Sequence, residues 1–410
     1  MSVQFSDIQN ANHIIKDTII QTPILPDVKL SDEIGASAFL KAECLQRSGS
    51  FKIRGAYNKI SRLTDEEKKR GVVAASAGNH AQGVALAAKL LGIKATIVVP
   101  EYAPLTKIIA TKGFGAEVIL HGSSFDEAMD YSFQLRDEKG FTHIHAFDDD
   151  LIIAGQGTIG LEIARDLPQT SVIVVPIGGG GVISGIAIAA KELMPEVRII
   201  GVQSENVSTI KKSLAEGKPI KAGKGETIAD GIAVKCPGNK TLPIIKELVD
   251  DIVEVSEDEI AKAIYFAVQN NRLVVEGAGA AGLAALLSKK ITVSEDDTVC
   301  AVLCGGNIDA NLLARVLEQV LVRQGRYIIL KVLVNDRPGM LARLLDHIAE
   351  TKANVIEVIH QRAMWLAPLG RVGIEVVLEV RDEEHGQSVQ TYLEDSGYHV
   401  EREGVGDWRE

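Results

Sequence analysis

Cysteine is scarce in this chain and falls in no metal-binding or disulfide pattern. The four residues are Cys44, Cys236, Cys300 and Cys304. None forms a Cys-x-x-Cys pair and no His-x-x-x-His spacing accompanies them, so neither a zinc site nor a disulfide framework is expected. A reducing cytosol permits such a composition, and a cytoplasmic location is expected. Basic charge is also short: 44 Lys and Arg stand against 55 Asp and Glu, a net charge of −11. A nucleic-acid binder would carry a basic face, so no such partner is expected. An unbroken apolar run of membrane length is missing too. Ser171 to Ala190 is almost uncharged and about as long as a membrane span, but Pro176 and the glycines from Gly178 to Gly181 split it. Those residues would ruin a spanning helix and favour strand, loop, helix instead, so no membrane partner is expected. Met1 to Asn10 is polar and mixed, and no signal peptide is expected there.

What is present is apolar material and alternation. With 410 residues, 46% of them hydrophobic, the chain can build a sizeable core in about two or three domains. Residues 5–20 read as a helix that Thr22-Pro23 ends. Ala38 to Ala42 reads as a strand and Ile53 to Leu63 as a helix. Strands are then expected at 71–76, 94–100 and 116–120, with helices at 79–91, 104–112 (opened by Pro104) and 124–139. A second block follows: helix 154–166, strand 171–176, helix 182–193, strand 197–203, helices 208–216 and 257–269, and strand 299–303. Such alternation predicts open parallel α/β sheets whose ligands lie at the carboxyl ends of the strands. From Tyr327 the pattern changes to strand 328–334, helix 340–351, strands 355–361 and 371–380, helix 383–396 and strand 398–401. That order is βαββαβ, a ferredoxin-like unit.

Four short stretches carry chemistry. Ser48-Gly49-Ser50-Phe51-Lys52-Ile53-Arg54-Gly55-Ala56 puts Lys52 where a strand gives way to a helix start. Unsatisfied N–H groups collect there, and lysine forms Schiff bases with carbonyl cofactors; a solvated lysine at a helix end is the plainer reading. Ser76-Ala77-Gly78-Asn79-His80 is a βα turn whose N–H groups suit a carboxylate, or simply a turn with an Asn cap. Gly178-Gly179-Gly180-Gly181-Val182 lets backbone approach a phosphate. It is also close to a dinucleotide fingerprint, with Glu205 about 20 residues on, and a tight turn without ligand is a third reading. Cys304-Gly305-Gly306-Asn307 closes a strand, and its Cys304 reads alone as a buried apolar thiol. Glu276, in Val275-Glu276-Gly277-Ala278-Gly279, reads alone as a cap in a glycine turn.

These stretches, in this order over about residues 5 to 318, resemble the fold-type II pyridoxal-phosphate enzymes, and among them the threonine/serine dehydratases. The resemblance implies a catalytic domain over 1–318 of two open α/β subdomains, the smaller at about 55–150. It implies pyridoxal 5'-phosphate as cofactor and Lys52 as the residue joined to it, which also takes the Cα proton. Phe51, Asn79, Gly178, Gly179, Gly180, Gly181, Val182, Glu276 and Cys304 are the implied cofactor contacts. Ser76, Ala77, Gly78, Asn79 and His80 are the implied substrate contacts, and Cys304 is implied to face the pyridine nitrogen. The implied activity is β-elimination of L-threonine to 2-oxobutanoate and ammonia, and of L-serine to pyruvate. Serine racemases of this fold carry serine where this chain has Ala77, and acidic residues hold a metal where it has Gln203 and Thr209; no metal is expected. A 3-hydroxyaspartate ammonia-lyase, a serine racemase, a non-catalytic amino-acid sensor and a dehydrogenase are the alternatives.

The Pro338-Gly339 turn of the 327–403 module resembles the ACT domain, a small amino-acid-sensing unit. The resemblance implies an amino-acid effector, isoleucine first, held by Asp336, Arg337 and Asn354 in a homo-oligomer, dimer or tetramer. Asp336 capping the helix and Asn354 ending it is the plainer reading.

Overall fold

The computed structural model describes residues 2–403 other than 104, 222, 224 and 362–367. Two compact units divide at Asp309 and Ala310. The first contains two sheets. Their strands are, in chain order, β1 (Ile24–Pro26), β2 (Ser37–Lys41), β3 (Val72–Ala75), β4 (Ala95–Val99), β5 (Glu117–Leu120), β6 (Thr142–His143), β7 (Val172–Pro176), β8 (Arg198–Ser204), β9 (Asp251–Val255) and β10 (Thr298–Val302). The six-stranded sheet runs β1-β2-β10-β7-β8-β9 and the four-stranded one β5-β4-β3-β6. Every pairing is parallel except β1 with β2. β7 is buried along its whole length, the mark of a parallel strand covered on both faces. The four-stranded sheet lies inside the segment expected as the smaller subdomain. No helix among the described residues is long and apolar enough to cross a membrane.

Several boundaries differ from expectation for physical reasons. The first helix stops at Ile15 rather than residue 20. The helix expected from residue 154 starts at Asp150, because the Asp149 carboxylate accepts hydrogen bonds from Leu151 N and Ile152 N and caps it. Pro104, expected to open a helix, lies outside the described residues; that helix is described over Leu105–Gly113. The glycine turn expected after Glu276 is instead the start of a helix, Gly277–Leu287, with Glu276 at its N-cap. Its sequence is small and apolar all round, so it shows no amphipathic period.

Glycine crossings hold three helices close around the sites of interest. A Cβ on Gly155 would lie 2.6 Å from Gly55 Cα, so helix Asp150–Asp166 meets helix Lys52–Ser61 backbone to backbone. On the same helix, Gly157 faces Gly185 of helix Gly181–Leu193, where a Cβ would come within 2.5 Å of Gly157 N. One buried helix thus sets both the Lys52 helix and the helix that opens at the glycine loop.

A buried charge cluster locks the same helices. Arg54 forks onto Glu43 (Nε–Oε2 2.8 Å, Nη2–Oε1 2.7 Å) and onto Glu162 (Nη1–Oε1 2.6 Å, Nη2–Oε2 2.9 Å). Lys41 Nζ donates to Glu162 Oε2 at 2.5 Å and to the Thr22 carbonyl at 2.7 Å. Thr22 Oγ1 donates to Glu43. All four charged side chains are buried, and two cations balance two anions. Burial alone would raise the Glu43 pKa, but the Arg54 guanidinium holds the carboxyl below its ordinary value.

The second unit opens with helix Ala310–Arg323, part of which had been expected in the catalytic domain. It continues with β11 (Tyr327–Asn335), helix Met340–Glu350, β12 (Asn354–Gln361), β13 (Arg371–Glu379), helix Glu383–Asp395 and β14 (His399–Arg402). The sheet order is β12-β13-β11-β14, all antiparallel, which is the expected ferredoxin-like arrangement. Alternate residues of β11, Ile328, Leu330, Val332 and Val334, are buried, with Leu344, Ile348, Val389 and Leu393 of the helices in the same core.

Arg54→Met should lower stability by about 3–5 kcal/mol, because it leaves buried Glu43 and Glu162 with Lys41 alone. Lys221→Met, which breaks an exposed pair with Asp126, should barely move the midpoint. Urea unfolding of both variants checks this; equal, small shifts would mean the buried cluster carries little stability.

Candidate active site

Lys52 is the first residue of helix Lys52–Ser61, with Phe51 at the N-cap. The Lys52 side chain is half-buried. Its Nζ donates to the Ala146 carbonyl at 3.0 Å and lies 5.1 Å from the Phe51 ring centre. Burial lowers its pKa to about 8, against the opposing pull of Cys304 and Glu276. A far larger share of free amine is therefore present near neutrality than for a solvated lysine.

Two loops are sewn to the Lys52 segment. Phe51 N donates to Cys304 O at 3.2 Å and Gly306 N to Gly49 O at 2.9 Å, which sets Ser50 opposite Gly305 in an isolated antiparallel bridge. Glu276 N donates to Gly305 O at 3.1 Å. Gly305 is small for a reason: a Cβ there would sit 2.5 Å from Glu276 Oε1 and 3.1 Å from Asn79 Nδ2. Asn79 Nδ2 donates to Glu276 Oε1 at 2.5 Å. Lys52, Asn79, Glu276 and Cys304, scattered over some 250 residues of sequence, thus converge through these loops.

The remaining expected contacts fall around them. Ser76 follows β3, and its Oγ accepts from Gly78 N at 3.1 Å. The N–H groups of Ala77, Asn79 and His80 meet no acceptor among the described residues. The His80 ring turns away from them, its Nε2–H donating to the Ile144 carbonyl at 2.8 Å. Burial, helped by the Lys52 charge, drops its pKa to about 3, so the ring stays neutral. At the glycine loop, Gly180 has φ +94° and the N–H groups of Gly178, Gly179, Gly180, Gly181 and Val182 have no acceptor among the described residues. Cys304 is buried and its thiol pKa is pushed up by burial, so it stays protonated. Burial raises Glu276 to about 7, with Asp230 adding to the shift and the Asn79 hydrogen bond opposing it.

Sequence reasoning missed the segment that joins these parts. Ala146 supplies the carbonyl on Lys52, and the next residue, Phe147, packs its ring on the glycine loop, where a Cβ on Gly179 would lie 2.4 Å away. Asp148 then accepts from Lys240 N at 2.8 Å, and Thr241 Oγ1 donates to Gly179 O at 2.7 Å. No spacing in the sequence signals these contacts. Asn307 closes the Cys304 motif, and its Nδ2 lies 2.8 Å from Asn79 Oδ1. Gln203 Oε1 is spent on Thr209 N and Ile210 N, at 3.2 and 3.0 Å.

This arrangement fits pyridoxal phosphate. An orphaned N–H cradle suits its phosphate, a half-buried amine suits its aldehyde, and the fully buried Ser50 hydroxyl beside them meets no partner among the described residues. The family model described as pyridoxal-phosphate dependent enzyme matches residues 15–305. The chain belongs to the pyridoxal-phosphate dependent enzymes. It is 48% identical to an L-threonine ammonia-lyase of Thermotoga maritima over 97% of this chain and 99% of that protein. Among solved structures, the processed threonine deaminase isoform 2 of Solanum lycopersicum is 39% identical, with a TM-score of 0.74 over 78% of this chain and 87% of that one. Maize serine racemase is 36% identical, with a TM-score of 0.74 over 79% of this chain and 99% of that one.

In this pyridoxal-phosphate enzyme the second unit holds the remaining expected residues. Asp336, Arg337 and Asn354 are exposed there. Asp336 N donates to Gly370 O at 2.9 Å and Arg337 N to Asn335 O at 2.8 Å. Asn354 opens β12 rather than closing a helix turn, with its Nδ2 3.4 Å from Glu379 Oε2.

Glu276 yields a pH-dependent prediction. Its pKa is 4.5 for a free carboxyl and about 7 in the fold. Between those values the folded protein keeps a proton that the unfolded chain has released, so the stability tied to it is lost as pH rises. Relative to Glu276→Gln, the cofactor-free wild type should lose on the order of 1–3 kcal/mol across that window. Parallel denaturation midpoints for the two proteins from acid to neutral pH would contradict this.

Proposed function

We propose that this enzyme is an L-threonine ammonia-lyase, releasing 2-oxobutanoate and ammonia, and that it also converts L-serine to pyruvate. The observation that carries this reading is the pairing of a low-pKa Lys52 with two cradles of unpaired N–H groups. The names of the relatives support the substrate. Bound pyridoxal phosphate supplies an aldehyde for the substrate amine and a ring that withdraws the electron pair left at Cα. Lys52 would hold the cofactor through its amine, and the same amine, when free, would accept the Cα proton. The N–H groups of Ala77, Asn79 and His80 hold the substrate carboxylate, and those of Gly178 to Val182 hold the phosphate. Cys304 keeps its proton, so it offers the ring nitrogen no anionic partner. A largely neutral ring suits loss of a β-hydroxyl, where the departing group relieves the charge. Ala77 carries no hydroxyl for a second base, which speaks against racemisation.

The second unit is proposed as an ACT module that binds an amino acid, isoleucine first, at the Asn335–Gly339 loop, with Asp336, Arg337 and Asn354 as contacts in a dimer or tetramer. Gly339 caps helix Met340–Glu350; Met340 N donates to Arg337 O, while the N–H groups of Leu341 and Ala342 meet no acceptor among the described residues and suit a carboxylate. Coupling of about 1–3 kcal/mol would change threonine kinetics severalfold.

Two measurements test these readings. Purified enzyme should release 2-oxo acid from L-threonine, and Lys52→Ala should abolish turnover; substantial turnover in that variant, or none on threonine in the wild type, would reject the assignment. Isoleucine titration should shift threonine kinetics in the wild type and not in an Asp336→Ala, Asn354→Ala double variant. A wild type indifferent to isoleucine, valine and threonine would remove the regulatory reading alone.

A further inference from the structure

We propose that Asn307 is a positioning residue that sets which edge of the Asn79 carboxamide meets the bound cofactor. The inference rests on the reading that Asn79 faces pyridoxal phosphate. A terminal carboxamide is nearly symmetric in shape, and rotation by half a turn exchanges its donor and acceptor edges. Packing alone therefore leaves the orientation of Asn79 open, and hydrogen bonds must choose it.

The choice propagates from a backbone carbonyl. Asn307 Nδ2 lies 2.8 Å from Ser48 O, 2.8 Å from Asn79 Oδ1 and 3.3 Å from Gln82 Oε1. Ser48 O can only accept, so the amino edge of Asn307 must face it. The second hydrogen of that amino group is directed to Asn79, the nearer side-chain acceptor at 2.8 Å against 3.3 Å for Gln82, which turns Asn79 Oδ1 toward Asn307. Asn79 Nδ2 is left facing Glu276 Oε1, 2.5 Å away. Its second N–H has no acceptor among the described residues and is the group free for the ligand. Two glycines make room for this relay. A Cβ on Gly49, which has φ +71°, would lie 2.2 Å from Asn307 Oδ1, and one on Gly305 would strike Glu276 and Asn79. The relay also ties the lysine loop, the Asn79 helix and the Cys304 loop together, so each element fixes the others' polar edges.

The test uses holoenzyme and three variants, with cofactor affinity read from titration of pyridoxal phosphate and stability read from thermal unfolding. Asn307→Ala should raise the cofactor dissociation constant about tenfold, the equilibrium weight of one lost hydrogen bond. Asn307→Asp should do at least as much and also lower the unfolding midpoint, because its carboxylate faces the Ser48 carbonyl and acceptor atoms of Asn79 and Gln82. In Asn307→Asp with Glu276→Gln, Asn79 can flip, donating to Asp and accepting from Gln. That double variant should regain part of the midpoint lost by Asn307→Asp, the share due to Asn79, without regaining cofactor affinity, since the Ser48 carbonyl still faces the carboxylate and the edge offered to the ligand stays reversed. A merely structural Asn307 would instead let stability and affinity recover together, and that outcome overturns the proposal. So does an Asn307→Ala protein that binds the cofactor within about twofold of wild type. Should Asn307→Asp fail to fold, the Asn307→Ala comparison decides alone. If the wild type binds pyridoxal phosphate but does not deaminate threonine, the substrate assignment falls while the affinity comparison still decides the role of Asn307.

Discussion

A buried guanidinium two residues beyond Lys52 constrains most of the first unit. Arg54 satisfies its donors on Glu43, Glu162 and Thr158, and so joins the Lys52 helix to the turn after β2 and to helix Asp150–Asp166. A forked cation can be buried only where its partners are rigidly placed, because any partner lost leaves an unpaired charge in a dry interior. The cluster therefore demands a fixed relation among three elements. The Gly55–Gly155 and Gly157–Gly185 crossings, which admit no side chain, demand the same relation sterically. Lys52 and the glycine loop inherit their positions from these two constraints.

Burial then acts in opposite senses on the groups it encloses. It lowers the Lys52 and His80 pKa values and raises those of Glu276 and Cys304. Each group is pushed toward its neutral form, so the site gathers four titratable side chains with less charge than they would carry in water. An uncharged amine is the form that can attack an aldehyde or take a proton, and a neutral thiol leaves an adjacent ring nitrogen without an anionic partner. The second unit follows a different logic. Its antiparallel sheet buries alternate residues against two helices, and the loop carrying Asp336 and Arg337 is exposed.

The alternation of strands and helices was legible because apolar period and breaker residues are local properties. So were the lysine and glycine loops, where Gly and Ser cluster just ahead of a helix. The strand order, the antiparallel edge of β1 with β2 and the helix after Glu276 were not legible. Short edge strands and uniformly apolar helices leave no period to read.

The sequence by itself determined the class of fold, the residues able to carry the chemistry and the βαββαβ order of the second unit. The fold class and that order follow from residue type and spacing along the chain, and the candidate residues from the resemblance of their motifs to a known family. Only the tertiary structure decided that Ala146 would face Lys52, that Phe147 would press on Gly179, and that Asn307 would orient Asn79 toward Glu276. Those are contacts between residues up to 228 positions apart. Hydrogen-bond partners at such separation are selected by how helices and sheets pack, which no local pattern encodes.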